Sequence, residues 1–173
     1  AAATQAGETA PSGDPTETGE VAEAAAPLLP VRVSVYFPSA DGTEFVAEPR
    51  DIFDTVSPID RAKQILSDLI AGPEGEDALP AMLRGVRLRQ VYVLDDGTAY
   101  ADFSSELRDL SPGGTAQELM TVYAIVNSLV LNVPEIRRVG ILIDGQEIDT
   151  LSGHLDLRRP LAPRTDLIAE GFR

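Results

Sequence analysis

The chain has 173 residues, is 43 % hydrophobic and 24 % charged, and carries a formal net charge of −14, which suits one globular core with tails. Such acidity excludes a protein that tracks nucleic-acid phosphates, whose mark is a concentrated basic surface; the nearest approach, Arg84, Arg87 and Arg89, reads as a solvated strand face. The absence of cysteine excludes disulfide frameworks, thiolate zinc sites and thiol nucleophiles together.

Residues 1–30 contain no aromatic and no basic residue, but hold Glu8, Asp14, Glu17, Glu20 and Glu23 among Ala, Gly, Pro and Thr. Such a segment buries too little apolar surface to offset its ordering entropy, so it is expected to be a disordered acidic linker. With five of the 28 acids there, 23 acidic and 14 basic residues remain, and the folded part is acidic by itself at −9. The start at Ala1-Ala2-Ala3 is what a removed secretory or lipoprotein signal would leave, and equally what a cut made for expression would leave. Any membrane attachment is therefore expected only through such a signal or lipid anchor, since the longest apolar run, 122–126, is too short to span a bilayer.

At Val31-Arg-Val33-Ser-Val35-Tyr-Phe37 strict alternation begins, predicting a half-buried strand with Tyr36 on the face opposite the valines. A turn at 39–42 leads to a second extended run, 44–50, which Pro49 confines to a sheet edge. Ser57-Pro58-Ile59-Asp60 predicts a helix start, with Ser57 as N-cap, and Gly72-Pro73 predicts its end. Between them Ile59, Ala62, Leu66, Leu69 and Ile70 recur at helical spacing.

Next comes a hairpin on Asp96-Gly97, expected to pair Leu94 with Ala99, Tyr92 with Ala101 and Gln90 with Phe103 through a two-residue turn. Residues 104–110 should leave the sheet in a turn or short helix. Thr115-Ala-Gln-Glu118 predicts a capping box, in which Thr115 caps a second helix and Glu118 reaches back to it. That helix is apolar on most sides and should dominate the core. Pro134 stops it, 136–143 is a strand apolar enough to be central, and Asp144-Gly145 is a second hairpin signal. Past Pro160 the chain reads as an irregular tail, 161–173. The order predicts an α+β, two-layer domain over 31–160, with one mixed or antiparallel sheet and two main helices on one face.

Catalytic chemistry is thin. The lone His154 sits in Ser152-Gly153-His154-Leu155 with no Gly-x-Ser-x-Gly elbow, and reads as a polar loop residue. The acidic pairs Asp95-Asp96, Glu76-Asp77 and Asp144 with Glu147 and Asp149 lie in turns and form no calcium-loop pattern. No phosphate-cradling glycine motif follows a strand. No catalytic, metal-binding or cofactor-binding residue is therefore assigned, no cofactor is expected, and the chain is expected not to be an enzyme. Two buried-type polar positions stand out: Asn127 inside the apolar helix, expected to bond a loop carbonyl, and Asp102 on the hairpin face opposite Ala101 and Phe103, expected to bond loop amides.

Several short pieces share an order and spacing: Val35-Tyr-Phe-Pro38, Leu69-Ile-Ala-Gly72-Pro73, Ala99-Tyr-Ala-Asp102-Phe-Ser104, Ala124-Ile-Val-Asn127-Ser-Leu129, Arg138-Val-Gly-Ile-Leu-Ile-Asp144-Gly145 and Gly153-His154-Leu-Asp156. In these the chain resembles the GerMN domain, a module named for a sporulation and spore germination lipoprotein and found more widely in bacterial envelope proteins. The resemblance implies an extracytoplasmic module, periplasmic or on the outer face of a membrane and often lipid-anchored, that assembles with itself or with other envelope proteins. The alternative is a domain binding peptidoglycan or a small ligand. Tyr36, Asp102, Asn127 and His154 are the candidate interaction or structural-polar positions, and an edge strand over 31–37 or a helix face is expected to meet the partner.

Overall fold

The computed structural model describes residues 29–111 and 113–172; the expected linker, except for its last two residues, lies outside them. Strand β1 (Pro30–Pro38) pairs antiparallel with β2 (Phe45–Phe53), placing Val35 opposite Glu48 and Phe37 opposite Val46. Helix α1 (Pro58–Ala71) begins as its sequence dictates, with the Ser57 hydroxyl accepting from the Asp60 amide at 3.2 Å and Pro58 in the first turn. It ends at Gly72, whose φ of 93° a side chain would resist.

A second sheet has the order β3-β4-β5-β6, built from β3 (Leu88–Val93), β4 (Thr98–Phe103), β5 (Arg138–Ile143) and the short β6 (Gln146–Glu147). The one-turn helix α2 (Glu106–Asp109) and the long α3 (Thr115–Val130) connect β4 to β5, which run parallel, as a helical crossover requires. The class is α+β. The strands fall into two ladders where one continuous sheet was expected.

The two Asp-Gly turns differ. At Asp144-Gly145 both residues take positive φ, 51° and 78°, and a two-residue loop sets Ile143 opposite Gln146. At Asp96-Gly97 only Gly97 is left-handed, at 83°. The Asp96 carboxylate instead accepts from the Thr98 amide at 2.9 Å, and the Leu94 carbonyl accepts from the Gly97 amide at 3.1 Å. The result is a three-residue loop, which corrects the expected hairpin register by one residue. Val93 faces Ala99, Val91 faces Ala101, and Tyr92 faces Tyr100. A one-residue slip exchanges faces, so Val91 joins the core and Tyr92 leaves it.

The core lies between the inner face of the second sheet and the helices: Val91, Ala99, Ala101, Phe103, Val139, Ile141 and Ile143 meet Ile65, Leu66, Leu69, Val122, Ile125 and Leu129. The β1–β2 ladder packs against the same two helices. Beyond Pro160 the chain is tied down, with Leu161 exchanging backbone bonds with Val139 and Ala169 donating to the Phe45 carbonyl.

Candidate functional site

Helix α3 organises the polar chemistry. Along it Glu118, Val122, Ile125 and Leu129 share one stripe at helical spacing, and all four are fully buried. A glutamate on that stripe must be compensated. Its Oε1 accepts from the Leu151 and Ser152 amides at 2.8 and 2.9 Å, and its Oε2 accepts from the His154 amide at 2.8 Å and lies 3.2 Å from His154 Nδ1. The expected capping box is absent. Gly114 occupies the N-cap without a side-chain bond, because the loop 151–154 offers Glu118 more donors than the helix start does. Burial pushes the Glu118 carboxyl up, but the amides of Ser152, His154 and Leu151 outweigh it and hold it below the usual glutamate range.

His154 thus serves a loop closure. The side chains of its sequence neighbours are engaged elsewhere: Asp156 chelates Arg158 at 2.8 and 2.9 Å, which lowers its pKa to about 2, and Ser152 Oγ lies 3.1 Å from Ser111 Oγ. Asn127 clamps one residue of the C-terminal segment, accepting from the Arg164 amide at 2.9 Å and donating to its carbonyl at 3.3 Å. Above that clamp the Arg164 guanidinium lies 5.7 Å from the Tyr123 ring.

Tyr36 is buried, which pushes its hydroxyl pKa up, and its amide donates to Ser128 Oγ at 3.0 Å. Two residues earlier, Asn132 accepts from the Ser34 amide at 2.9 Å and donates to the Ser34 carbonyl at 2.7 Å. The outer edge of β1 is therefore occupied by side chains from the end of α3 and its C-cap turn, which corrects the expectation of an available strand at 31–37. The outer edge of β2 is closed by Gln64 on both backbone groups of Phe53, by Ala169 on Phe45, and by Pro49, which has no amide to offer.

Asp102 is buried on the outer face of the second sheet, accepting from the Gly145 amide at 2.8 Å and from Arg89 Nε at 3.2 Å. Tyr36, Asp102, Asn127 and His154 do not converge. Each fastens a different segment.

The sequence reading missed Glu118 as a buried acid and the apolar strip that the α1–β3 connection and the end of α2 present. Leu79, Leu83 and Leu110 remain 44, 50 and 41 % exposed. The backbone beneath them is pinned: the Leu79 amide donates to the Pro38 carbonyl at 2.7 Å, and Thr121 Oγ1 donates to the Ala81 carbonyl at 2.7 Å. Leu79 and Leu83 border a groove of about 660 Å³ with Pro38, Ala40, Pro80 and Met120, and Asp41 stands on its rim. Hydrogen bonds from Ser39 and Thr43 hold Asp41 below the usual aspartate range, so the rim is negative. The signal was in Ala78-Leu79-Pro80-Ala-Met82-Leu83, an apolar-rich stretch interrupted by Pro80 and too irregular for a helix or strand. Among the described residues there is no cluster of His, Cys, Asp or Glu fit to hold a metal ion, and no helix is long and apolar enough to cross a membrane.

Residues 34–149 match the Germane family, described as sporulation and spore germination, and the chain belongs to that family, as the GerMN-like motifs implied. Solved structures share the fold. The first GerMN domain of the sporulation protein GerM from Bacillus subtilis is 22 % identical with a TM-score of 0.59, over 82 % of this chain and 98 % of that one. The tandem GerMN domains of the same protein give 22 % and 0.63 over 78 % of this chain and 46 % of theirs, so this chain spans about half of that pair. A Clostridium perfringens protein assigned as a lipoprotein gives 23 % and 0.55 over 79 % and 91 %. No curated protein matches the chain in sequence.

Proposed function

We propose that this chain is a non-enzymatic, extracytoplasmic interaction module of the bacterial cell envelope. It docks another envelope protein through the strip of Leu79, Leu83 and Leu110. The observation that carries this reading is the exposure of Leu79 and Leu83 on a segment whose backbone is fixed by hydrogen bonds with β1 and α3, with Leu110 at the end of α2 beside Leu83. Contiguous apolar surface on a rigid support costs little ordering entropy when covered, and marks a docking surface. The negative rim at Asp41 favours a partner segment that is apolar with basic flanks. The envelope location rests on the family, together with relatives that are a sporulation protein and an assigned lipoprotein. The polar residues that catalysis would call on are engaged with backbone groups and arginines, which supports a role in binding.

Crosslinking in the envelope of the native host, comparing the parent with Leu79→Asp and Leu83→Asp, tests the reading. The expected result is a crosslinked partner that both variants lose while sedimentation velocity shows them folded and compact. Recovery of the same partner by both variants would sink it.

A further inference from the structure

Among the described residues no helix covers the outer face of the second sheet, and its chemistry differs from that of the leucine strip. Register and alternation place Tyr92, Thr98, Tyr100, Asp102, Arg138 and Gly140 on it. A Cβ on Gly140 would meet Cδ1 and Cε1 of Tyr100 at 2.6 Å, so the Tyr100 ring lies down across β5 instead of standing off the sheet. One face of the ring covers the glycine, and the side chain remains part-exposed. Beside it on β3, directly opposite in register, stands Tyr92, 46 % exposed, so two tyrosines adjoin on this face as an aromatic platform.

Fixed polar groups frame the platform along β4. At one end Arg138 donates to Thr98 Oγ1 and Asp96 Oδ2, both at 2.6 Å. At the other Arg89 donates to Asp102 Oδ2 at 3.2 Å and to Asp144 Oδ1 at 2.9 Å. These frames lie two residues to either side of Tyr100, so the platform is about 13 Å long. Each guanidinium has five N–H donors and spends two, leaving oriented donors beside carboxylates that retain free lone pairs.

Charge decides what fits. Arg138 is already balanced by one carboxylate and Arg89 by two, so the face has no surplus positive charge for a phosphate or an acidic peptide. What remains is π-faces flanked by fixed donors and acceptors. That set is matched by an uncharged molecule with flat C–H faces and hydroxyl groups that donate and accept at once. We propose that this face binds an extended neutral glycan, stacked on Tyr92 and Tyr100 and hydrogen-bonded to Arg89 and Arg138. The site is separate from the leucine strip and does not depend on it.

Titration of the full chain with N-acetylchitohexaose and with cellohexaose, followed through backbone amide and tyrosine resonances, tests the proposal. Saturable shifts by either glycan, confined to β3, β4 and β5 residues of this face, are expected. Tyr92→Ala should weaken binding about tenfold or more and Tyr92→Phe should retain it, since the ring and not the hydroxyl stacks. Tyr92 is half-exposed, so both variants should unfold at the parent temperature. Leu83→Asp should bind the glycan as the parent does, which separates this outcome from that of the leucine strip. Absence of shifts with both glycans, shifts elsewhere on the molecule, or full binding by Tyr92→Ala would overturn the proposal. So would a proline-rich peptide that perturbs this face while neither glycan does.

Discussion

The β1–β2 ladder and the second sheet handle exposure in opposite ways. The ladder closes its backbone: Asn132 and Ser128 occupy the outer edge of β1, while Gln64, Ala169 and Pro49 close that of β2. The second sheet instead has no helix on its outer face among the described residues, and furnishes that face with tyrosines and braced arginines. An edge recognises any strand, because backbone groups carry no sequence, whereas a face recognises by side chains. Blocking the first guards the β1–β2 ladder against indiscriminate pairing, and exposing the second leaves the other sheet a face defined by side chains. The cost falls on α3 and the turn after it, whose buried polar residues hold other segments in place.

That division is broken most severely at Glu118. Glu118→Ala strands the amides of Leu151, Ser152 and His154, and is expected to destabilise the fold by about 3 kcal/mol, lowering the melting temperature by roughly 6 to 12 °C. Because the folded carboxyl is held below its ordinary value, its contribution is present above the unfolded glutamate pKa of about 4.3 and is lost as pH falls through the folded value. The gap between parent and variant in thermal unfolding should therefore be full at neutral pH and narrow under acid. A gap unchanged by acid would show that something other than the ionised carboxylate holds the loop.

The next effect is at the β1 edge. Asn132→Ala removes bonds to both backbone groups of Ser34 and to the Ser128 carbonyl, at a cost of about 2 kcal/mol. It also bares a strand, so concentration-dependent self-association is expected by size-exclusion chromatography where the parent shows less. A variant that is destabilised but no stickier would mean that the edge needs no guard. On the second sheet, Gly140→Ala forces the Tyr100 ring off its strand and should cost about 1 to 2 kcal/mol, largely relieved when Tyr100→Ala is added. Additive effects in that double-mutant cycle would contradict the ring-over-glycine arrangement.

Local signals in the sequence were legible, and signals that depend on distant partners were not. Ser57, Gly72 and Asp144-Gly145 did what cap and turn chemistry dictates, since their partners lie within four residues. Asp96-Gly97 carries the same dipeptide signal, yet the Asp96 side chain bonds Thr98 and Arg138, which holds its backbone in the ordinary region and shifts the register. Glu118 resembled a cap because its true donors lie more than thirty residues on. Asn132 gave no sign of its link to Ser34, a separation of 98 residues. Asp102 and Asn127 were visible as polar residues in apolar surroundings, but what each fastens, Gly145 in one case and Arg164 in the other, is a property of the assembled fold. The leucine strip was hidden because it follows no period.

The smallest effect on stability is expected where the proposed docking surface is changed. Leu83 is half-exposed, and replacing it with aspartate uncovers only half a leucine's contacts and strands no polar group, so Leu83→Asp should stay within about 1 kcal/mol of the parent. It adds a negative charge beside Asp41, which opposes an apolar partner with basic flanks only if the desolvation of the new carboxylate outweighs its attraction to those flanks. Burying a carboxylate costs more than that attraction returns, so partner binding should fall while folding is unchanged. A positive replacement separates desolvation from attraction: Leu83→Lys would be buried at similar cost and would also repel basic flanks, so it should bind more weakly still. If Leu83→Lys bound better than Leu83→Asp, the partner would carry acidic flanks, and the part assigned to the Asp41 rim would be wrong even with the leucines correctly placed.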